Sequence, residues 1–196
     1  MSLELLPASI LEKYEVHEWK HACAILNNDF ATEWKDIIDL LTKFKFCKSW
    51  INVGGGRKSL VSETIDHFLY DRGWCEKEFE TSMKVDDLIM QSPTHKVDCY
   101  KNHVALEIEW NNKDPFFDRD LNNFRLLFDL RAISVGVIIT RCDELQEIFD
   151  KLGRGSSYGQ STTHMSKLLR KIEGGGGGGC PLLVFGIKKD LYEENC

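Results

Sequence analysis

Two short apolar segments set the strongest constraint on the fold of this chain. The sequences SVGVIIT at 134–140 and PLLVFGI at 181–187 are nearly continuous apolar runs with several β-branched residues. Such runs are typical of strands buried on both faces, because a half-exposed strand alternates apolar with polar residues. Strands of this kind need a covering layer on each side of their sheet. The sequence therefore predicts an α/β fold, with a central mixed β-sheet flanked by helices.

The remaining segments supply the helices and further strands of such a fold. Apolar residues recur at helical spacing in five segments, 29–44, 58–74, 116–132, 143–152 and 164–173. Strand patterns occupy 76–81, 95–100 and 103–110. Six consecutive glycines at 174–179 are predicted to form a flexible tether. The length suits a single domain spanning 1–196.

The segment HEWKH at 17–21 matches a zinc-hydrolase pattern, H-E-x-x-H. That assignment would make His17 and His21 the zinc ligands on one helical face. A third protein ligand is also required, but the positions where a metzincin has glycine and histidine hold Ala24 and Asn27. We therefore expect an amphipathic helix here and no zinc site.

The cysteines and the apolar segments predict the cellular compartment of the protein. Seven irregularly spaced cysteines form no C-x-x-C pair, which predicts free, mostly buried thiols. No stretch approaches 18 uninterrupted apolar residues, so no membrane span is expected. The N-terminal residues show no basic region ahead of an apolar segment, which argues against a secretory signal. These features predict a cytoplasmic protein.

The charges are unevenly distributed along the chain. The formal net charge is -6, which by itself disfavours a nucleic-acid-binding protein. However, the tracts 43–59 and 151–172 contain five basic residues each and no acidic residue. Two such tracts on an acidic chain indicate a one-sided DNA-binding surface. The alternative is that both tracts are ordinary solvated surfaces.

A cluster of carboxylates marks the predicted hairpin VDCYKNHVALEIEW at 97–110. Asp98 lies in the first strand, and a tight turn at Lys101 and Asn102 would place it beside Glu107 in the second. Glu107 and Glu109 share one face of that strand. Carboxylates gathered in a sheet need a counter-charge, and hard oxygen ligands favour Mg²⁺.

The backbone carbonyl of Ile108 could complete this set of metal ligands. The alternative is that the two glutamates face solvent on an edge strand.

The same hairpin resembles the active-site hairpin of the PD-(D/E)XK nucleases. It is most similar to the group of type II restriction endonucleases that includes BglII, BstYI and BamHI, in which the lysine of the signature is replaced by glutamate or glutamine. Glu109 occupies that position here. The resemblance extends to the segments 14–41, 60–74, 133–140 and 181–187 and covers nearly the whole chain. The acids of KDPFFDRD at 113–120 depart from it, because they lie close to a proposed DNA surface.

The resemblance assigns roles to residues at matching positions. Asp98 and Glu107 are expected to bind the metal, Glu109 to act as general base or to orient the attacking water, and Glu63 to be an auxiliary acid. Base-reading residues are expected at Asn111, Asn112, Lys113, Arg154, Ser156, Ser157 and Tyr158. Phosphate contacts are expected at Arg57, Lys58, Arg119, Lys167 and Arg170.

The expected function is a Mg²⁺-dependent type II endodeoxyribonuclease of a restriction-modification system. It would cut both strands of a short palindromic site as a homodimer and leave 5′-phosphates, since two strands require two hydrolytic centres. Two alternatives stay open. One is a nuclease of the same fold in DNA repair, and the other is a DNA-binding module without catalysis.

Overall fold

The computed structural model of the chain describes residues 2–52, 58–91 and 94–196. Within these residues, the helices are α1 (Ala8–Lys13), α2 (Ala22–Asp29), α3 (Ala31–Lys43), α4 (Lys48–Ile51), α5 (Leu60–Tyr70), α6 (Pro115–Asp129), α7 (Gln146–Lys151) and α8 (Met165–Glu173). The strands are β1 (Tyr14–Trp19), β2 (Phe46–Cys47), β3 (Cys75–Lys77), β4 (Ser82–Val85), β5 (Leu88–Gln91), β6 (Val97–Lys101), β7 (Val104–Ile108), β8 (Val135–Arg141), β9 (Leu182–Ile187) and β10 (Tyr192–Glu193).

Six of these strands form one mixed sheet in the order β1-β9-β8-β7-β6-β3. The central strands β7, β8 and β9 are parallel, whereas β1, β6 and β3 each pair antiparallel with their neighbours. Every residue of β8 and β9 is buried, as their apolar sequences predict. The prediction of an α/β fold with a central mixed sheet between helices is confirmed.

The two faces of the sheet pack against different helices. Val104, Leu106 and Ile108 of β7 join a cluster with apolar residues of α2, α3 and α5. Ala105 of β7 joins the opposite cluster, which contains residues of α6 and α8. The alternation of β7 is therefore oriented as predicted, and it directs Glu107 toward the α6 face.

The HEWKH segment is not helical, so the helix predicted there is wrong over its first part. Its first three residues end β1, Lys20 and His21 adopt left-handed conformations, and α2 begins only at Ala22. Antiparallel pairing with β9, in which His17 lies opposite Val184, satisfies the backbone of this segment and overrides its helical pattern. The two histidines consequently do not share a helical face.

Glu18 has a structural role in this arrangement. Its side chain is buried and accepts hydrogen bonds from the backbone N–H groups of Ser2 and Cys23, at 2.6 and 3.1 Å. The hydroxyl of Ser2 donates a third hydrogen bond at 2.7 Å. This carboxylate joins the N-terminal residues to the start of α2, and it is not placed to activate water at a metal.

The glycine run forms successive hydrogen-bonded turns, in contrast to the predicted flexible tether. The N–H of Gly178 donates to the carbonyl of Gly175, and the N–H of Gly176 donates to that of Lys171. Gly175 and Gly178 have φ values of 90° and 55°, which favour glycine. The run therefore makes a compact connection between α8 and β9.

The prediction that all cysteines are free thiols is wrong at two positions. Cys47 and Cys196 form a disulfide, while Cys23, Cys99, Cys142 and Cys180 are buried free thiols. The parallel pairing of β2 with β10 brings these two distant cysteines together, and spacing along the sequence cannot reveal such a pairing. No helix of the described residues has the length and apolar character needed to cross a membrane.

Close packing between β8 and α6 gives a test of this fold. A Cβ atom at Gly136 would lie 2.5 Å from Cδ2 of the buried Phe124 ring and 2.9 Å from Cδ2 of Leu182. We expect Gly136→Ala to lower the free energy of unfolding by about 1–3 kcal/mol, measured by urea denaturation, because overpacking displaces the ring. Gly159→Ala is the control, since its Cβ would meet only ordinary contacts. Equal stability of Gly136→Ala and the parent would contradict this packing.

Candidate active site

The β6–β7 hairpin sets the geometry of the site. Asn102 and His103 form its turn, with φ values of 42° and 65°, one residue later than predicted. Two left-handed residues give the tight turn that suits the twist of antiparallel strands. The resulting register pairs Cys99 with Leu106. Continuing that register places Asp98 directly opposite Glu107.

At this point the carboxylates replace the regular ladder of the two strands. Oδ2 of Asp98 accepts a hydrogen bond from the backbone N–H of Ile108 at 3.0 Å. Oε2 of Glu107 accepts one from the backbone N–H of Asp98 at 3.2 Å. Each acid thus binds the backbone of the opposite strand. The structure brings these two predicted metal ligands together.

Glu109 lies just beyond the end of β7 and is held on both sides. Its backbone N–H donates to the carbonyl of Ile139 at 3.0 Å, and its carbonyl accepts from Thr140 at 2.9 Å. Its carboxyl group accepts hydrogen bonds from Asn112 at 2.8 Å and from Arg119 at 3.2 Å. Only 1% of its surface is exposed, so these hydrogen bonds hold the side chain in one orientation.

A further buried acid, Asp120 on α6, belongs to the same cluster. It is fully buried, and its Oδ1 accepts a hydrogen bond from Arg119 at 2.8 Å. The sequence places it among the acids of KDPFFDRD, but no spacing rule relates that helix to the hairpin. The available signal was its position on the apolar face of α6, one residue before the buried Leu121.

Burial and mutual repulsion control the protonation of these acids. Burial, followed by repulsion from Asp120 and Asp98, holds the pKa of Glu107 well above its ordinary value of 4.5. Burial, followed by the charge of Asp120, raises the pKa of Glu109 to about 9. Burial also raises the pKa of Asp120. Without a cation, the cluster therefore retains protons at neutral pH.

Two carboxylate oxygens show where those protons, or a cation, belong. Oδ2 of Asp120 and Oε1 of Glu107 have no hydrogen-bond donor among the described residues. Glu109 and Asp120 share a side-chain hydrogen bond, which requires a proton on one of the two carboxyl groups. Oε1 of Glu107 remains buried without a partner, so a proton or a metal ion is its natural complement.

The acids are not arranged as a ready metal cage. In the part of the chain that the structure describes, no group of three histidine, cysteine, aspartate or glutamate side chains is placed to hold a metal ion. The contacts above give the reason, because Asp98 and Glu107 turn toward backbone N–H groups while Arg119 and Asn112 hold Glu109. The donor set still consists of hard oxygen atoms suited to Mg²⁺.

A cleft of about 570 Å³ opens above this cluster. It collects many of the predicted site residues on its walls, namely Asp98, Ile108, Glu109, Asn111, Asn112, Lys58, Arg119, Arg154, Ser157 and Tyr158. Glu107 is completely buried beside it. Glu63, Lys113, Ser156, Lys167 and Arg170 do not line the cleft, and Arg57 lies outside the described residues.

The acid that α5 directs toward the site is Asp66, three residues after the predicted Glu63. Asp66 is buried, forms an ion pair with Lys58, and accepts a hydrogen bond from the thiol of Cys99 at 3.5 Å. Burial raises its pKa. Glu63 lies almost one helical turn earlier and makes no such contact. The helix was predicted correctly, but its rotation about its axis depends on tertiary packing.

The raised pKa of Glu109 predicts how stability varies with pH. The folded state keeps this proton up to about pH 9, whereas the unfolded state releases it near 4.5, so stability is lost as the pH rises between these values. Glu109→Gln removes this loss and can still donate a hydrogen bond to Asp120. With EDTA present, we expect the variant to unfold at a temperature about 4–8 °C above the parent at pH 9, for a gain of about 2 kcal/mol.

The stability difference should shrink toward zero at pH 5, as measured by thermal unfolding across this range. Glu173→Gln, at the exposed end of α8, is the control and should show no such trend. A difference that does not vary with pH would mean that Glu109 is not protonated in the folded state.

The comparisons with known proteins agree with this geometry. A family model described as "Restriction endonuclease BglII/BglIII" matches residues 14–187, which include the hairpin, α6 and both central apolar strands. A search of curated proteins gave no match. Restriction endonucleases of this type cut DNA internally and generally use divalent metal ions. Because the match covers most of the sequence, the chain belongs to the BglII/BglIII family of restriction endonucleases.

Proposed function

We propose that this chain hydrolyses phosphodiester bonds in both strands of a short palindromic double-stranded DNA site, with Mg²⁺ as cofactor. One observation carries the proposal. Asp98 and Glu107 meet where the hairpin ladder gives way, and this point adjoins a cleft lined with basic and amide side chains. Family membership makes DNA the substrate, and the geometry suggests where the bond is cut.

The proposed metal ligands are Asp98, Glu107 and the carbonyl of Ile108. The unpartnered Oε1 of Glu107 supports this assignment, since a buried carboxylate oxygen requires a cation or a proton. The chemistry that Mg²⁺ supplies when bound is charge neutralisation at the phosphate and a more acidic water. The backbone N–H groups of Asp98 and Ile108 engage one oxygen of each carboxylate, Oε2 of Glu107 and Oδ2 of Asp98, and the second oxygen of each is the one proposed to bind the metal.

Glu109 is proposed to accept the proton of the attacking water. Hydrogen bonds from Asn112 and Arg119 orient its carboxyl group, and its raised pKa makes it a better proton acceptor than an exposed glutamate once it is ionised. The water oxygen forms a bond to phosphorus while the bond from phosphorus to O3′ breaks. O3′ takes up a proton from solvent, which leaves a 5′-phosphate and a 3′-hydroxyl.

The walls of the cleft supply the proposed DNA contacts. Lys58 and Arg119 offer positive charge to phosphates, and Asn111, Asn112 and Arg154 offer groups that can pair with base edges. Tyr158 is mostly buried and stacks on Phe149 at 4.0 Å, so it shapes the wall more than it presents a reading group. Ser157 lines the same wall, whereas Lys113 and Ser156 lie outside it.

The proposed homodimer follows from the two strands of a DNA duplex. One chain offers one hydrolytic centre, and cutting both strands of a palindrome requires two, which a two-fold symmetric homodimer supplies. We place this dimer in a restriction-modification system acting in the cytoplasm. The family match supports a restriction enzyme over a nuclease of DNA repair.

Replacement of Glu107 tests the chemical part of the proposal. We expect Glu107→Ala to reduce plasmid cleavage in Mg²⁺ at least about 10³-fold while DNA binding persists, because the side chain acts on the metal and not on the duplex. Glu173→Gln should cut at the parent's rate. Cleavage by Glu107→Ala at that rate would overturn the assignment of the site.

Digestion of phage DNA tests the specificity of cutting. A site-specific enzyme should give discrete, reproducible fragments with 5′-phosphate ends in Mg²⁺ and no cleavage in EDTA. End sequencing of those fragments should show a two-fold symmetric site, as a homodimer requires. A continuous smear, or nicks without double-strand breaks, would contradict site-specific cutting of both strands.

A further inference from the structure

A second cleft, of about 430 Å³, lies apart from the carboxylate cluster. Its lining includes Arg141, Asp143, His164, Ser166, Lys167 and Arg170. Three of these side chains carry permanent positive charge, and one carries negative charge. None of the proposed metal ligands belongs to it. It also contains Lys167 and Arg170, the two predicted phosphate contacts that the first cleft leaves out.

Arg141 is the unusual residue of this second cleft. It lines the cleft although only 1% of its surface is exposed, and no carboxylate lies within ion-pair distance of it among the described residues. Its Nη2 donates to the carbonyl of Tyr158 at 2.8 Å and to the hydroxyl of Thr162 at 3.1 Å. Its Nε has no hydrogen-bond partner in the described part of the chain.

A buried guanidinium with no carboxylate in direct contact is costly, and an anion from outside the chain would offset this cost. Burial lowers the pKa of Arg141 to about 10, which still leaves it charged at neutral pH. Two of its five N–H groups are used by Nη2, and the donors on Nε and Nη1 remain for the oxygens of an anion such as phosphate. The residue is therefore suited to an external anion.

The acidic residue of the cleft is already occupied. The carboxylate of Asp143 accepts from the backbone N–H and the hydroxyl of Ser166, at 3.0 and 2.7 Å, and lies 2.8 Å from Nδ1 of His164. It therefore caps α8 and acts on Arg141 through its charge, without a direct ion pair. Lys167 lies 3.5 Å from Asp114, whereas Arg170 is exposed and makes no ion pair with a described residue. The net charge of the side chains that line this cleft is therefore positive.

We infer that this second cleft binds a phosphate group through Arg141, Lys167 and Arg170. Two sources share this chemistry. One is a phosphodiester of the DNA backbone outside the cleavage cleft, which rests on the proposed function. The other is a free phosphate group, such as inorganic phosphate or a 5′-terminal phosphate. A phosphodiester of the DNA backbone is favoured, because residues from both clefts make hydrogen bonds to the segment between the clefts.

That segment, 158–163, connects the two clefts physically. Arg141 binds it from one side through Tyr158 and Thr162. On the other side, the N–H of Thr163 donates to the carbonyl of Asn112 at 2.8 Å, and its hydroxyl accepts from the N–H of Asn112 at 3.1 Å. A phosphate on Arg141 would therefore stabilise the loop that supports a proposed base-reading residue.

Titration of the whole protein with inorganic phosphate tests the site without any cleavage. The readout is the NMR signal of the His164 ring, identified by its loss in His164→Gln. We expect phosphate to shift this signal in the parent and in Arg125→Gln, a matched exposed arginine on α6. The phosphate affinity should fall at least about tenfold in the double variant Lys167→Gln/Arg170→Gln and in Arg141→Lys, which keeps the charge but lacks the Nε and Nη1 donors.

Binding of a 30-base-pair duplex without Mg²⁺, measured by anisotropy across salt concentrations, separates the two sources. If the backbone occupies the site, the double variant should lower the slope of log affinity against log salt by about one to two, and Arg125→Gln should not change it. A phosphate response with an unchanged slope supports the free-phosphate source. No phosphate response and no change in slope would overturn the inference.

These outcomes are separable from the proposed function. If the double variant binds duplex with the parent's salt slope, shows no phosphate response and still cuts DNA, the second cleft is not a phosphate site although the nuclease assignment stands. If the parent protein does not bind DNA at all, the proposed function fails, and the phosphate titration alone then decides the inference.

Discussion

The candidate active site depends on the hydrogen bonds that join the Asp98 and Glu107 carboxylates to the opposite strand of the hairpin. Each carboxylate accepts from a backbone N–H of the opposite strand, at the place where the regular ladder ends. An unsatisfied buried N–H costs about 1–3 kcal/mol, so these acids stabilise the opening of the hairpin as well as forming the site. The same two side chains therefore link fold and chemistry, and the opening they maintain adjoins the cleft.

In the proposed site, the charge of Arg119 would make DNA binding and metal binding interdependent. Arg119 contacts both Glu109 and Asp120, and among the described residues no other cation lies within ion-pair distance of these two acids. It also lines the cleft, where a phosphate would compete for it. A phosphate that attracts Arg119 leaves buried carboxylates short of positive charge, and a divalent cation would restore it. We therefore expect each to strengthen the binding of the other.

The sequence predicted what depends on local pattern and missed what depends on distant packing. The apolar run of β8 and the alternation of β7 carry period and burial in their own residues, so the strands and the faces of Glu107 and Glu109 were predictable. Pairing of β1 with β9 overrode the helical pattern of HEWKH, and pairing of β2 with β10 joined Cys47 to Cys196. The rotation of α5 and α6, which selects Asp66 and Asp120, is likewise set by contacts far away in sequence.

In the proposed function, base reading and catalysis share one short stretch of backbone. Asn112 follows Glu109 by three residues, and its amide donates to that carboxyl group at 2.8 Å. Its backbone is fixed by two hydrogen bonds to Thr163, which follows Thr162, a hydrogen-bond partner of Arg141. A duplex that draws the Asn112 amide toward a base edge would remove a hydrogen bond from Glu109 and alter its orientation. The orientation of Glu109, the proposed acceptor of the water proton, would then differ between the recognition sequence and other DNA sequences. Cleavage would therefore be more selective than binding alone.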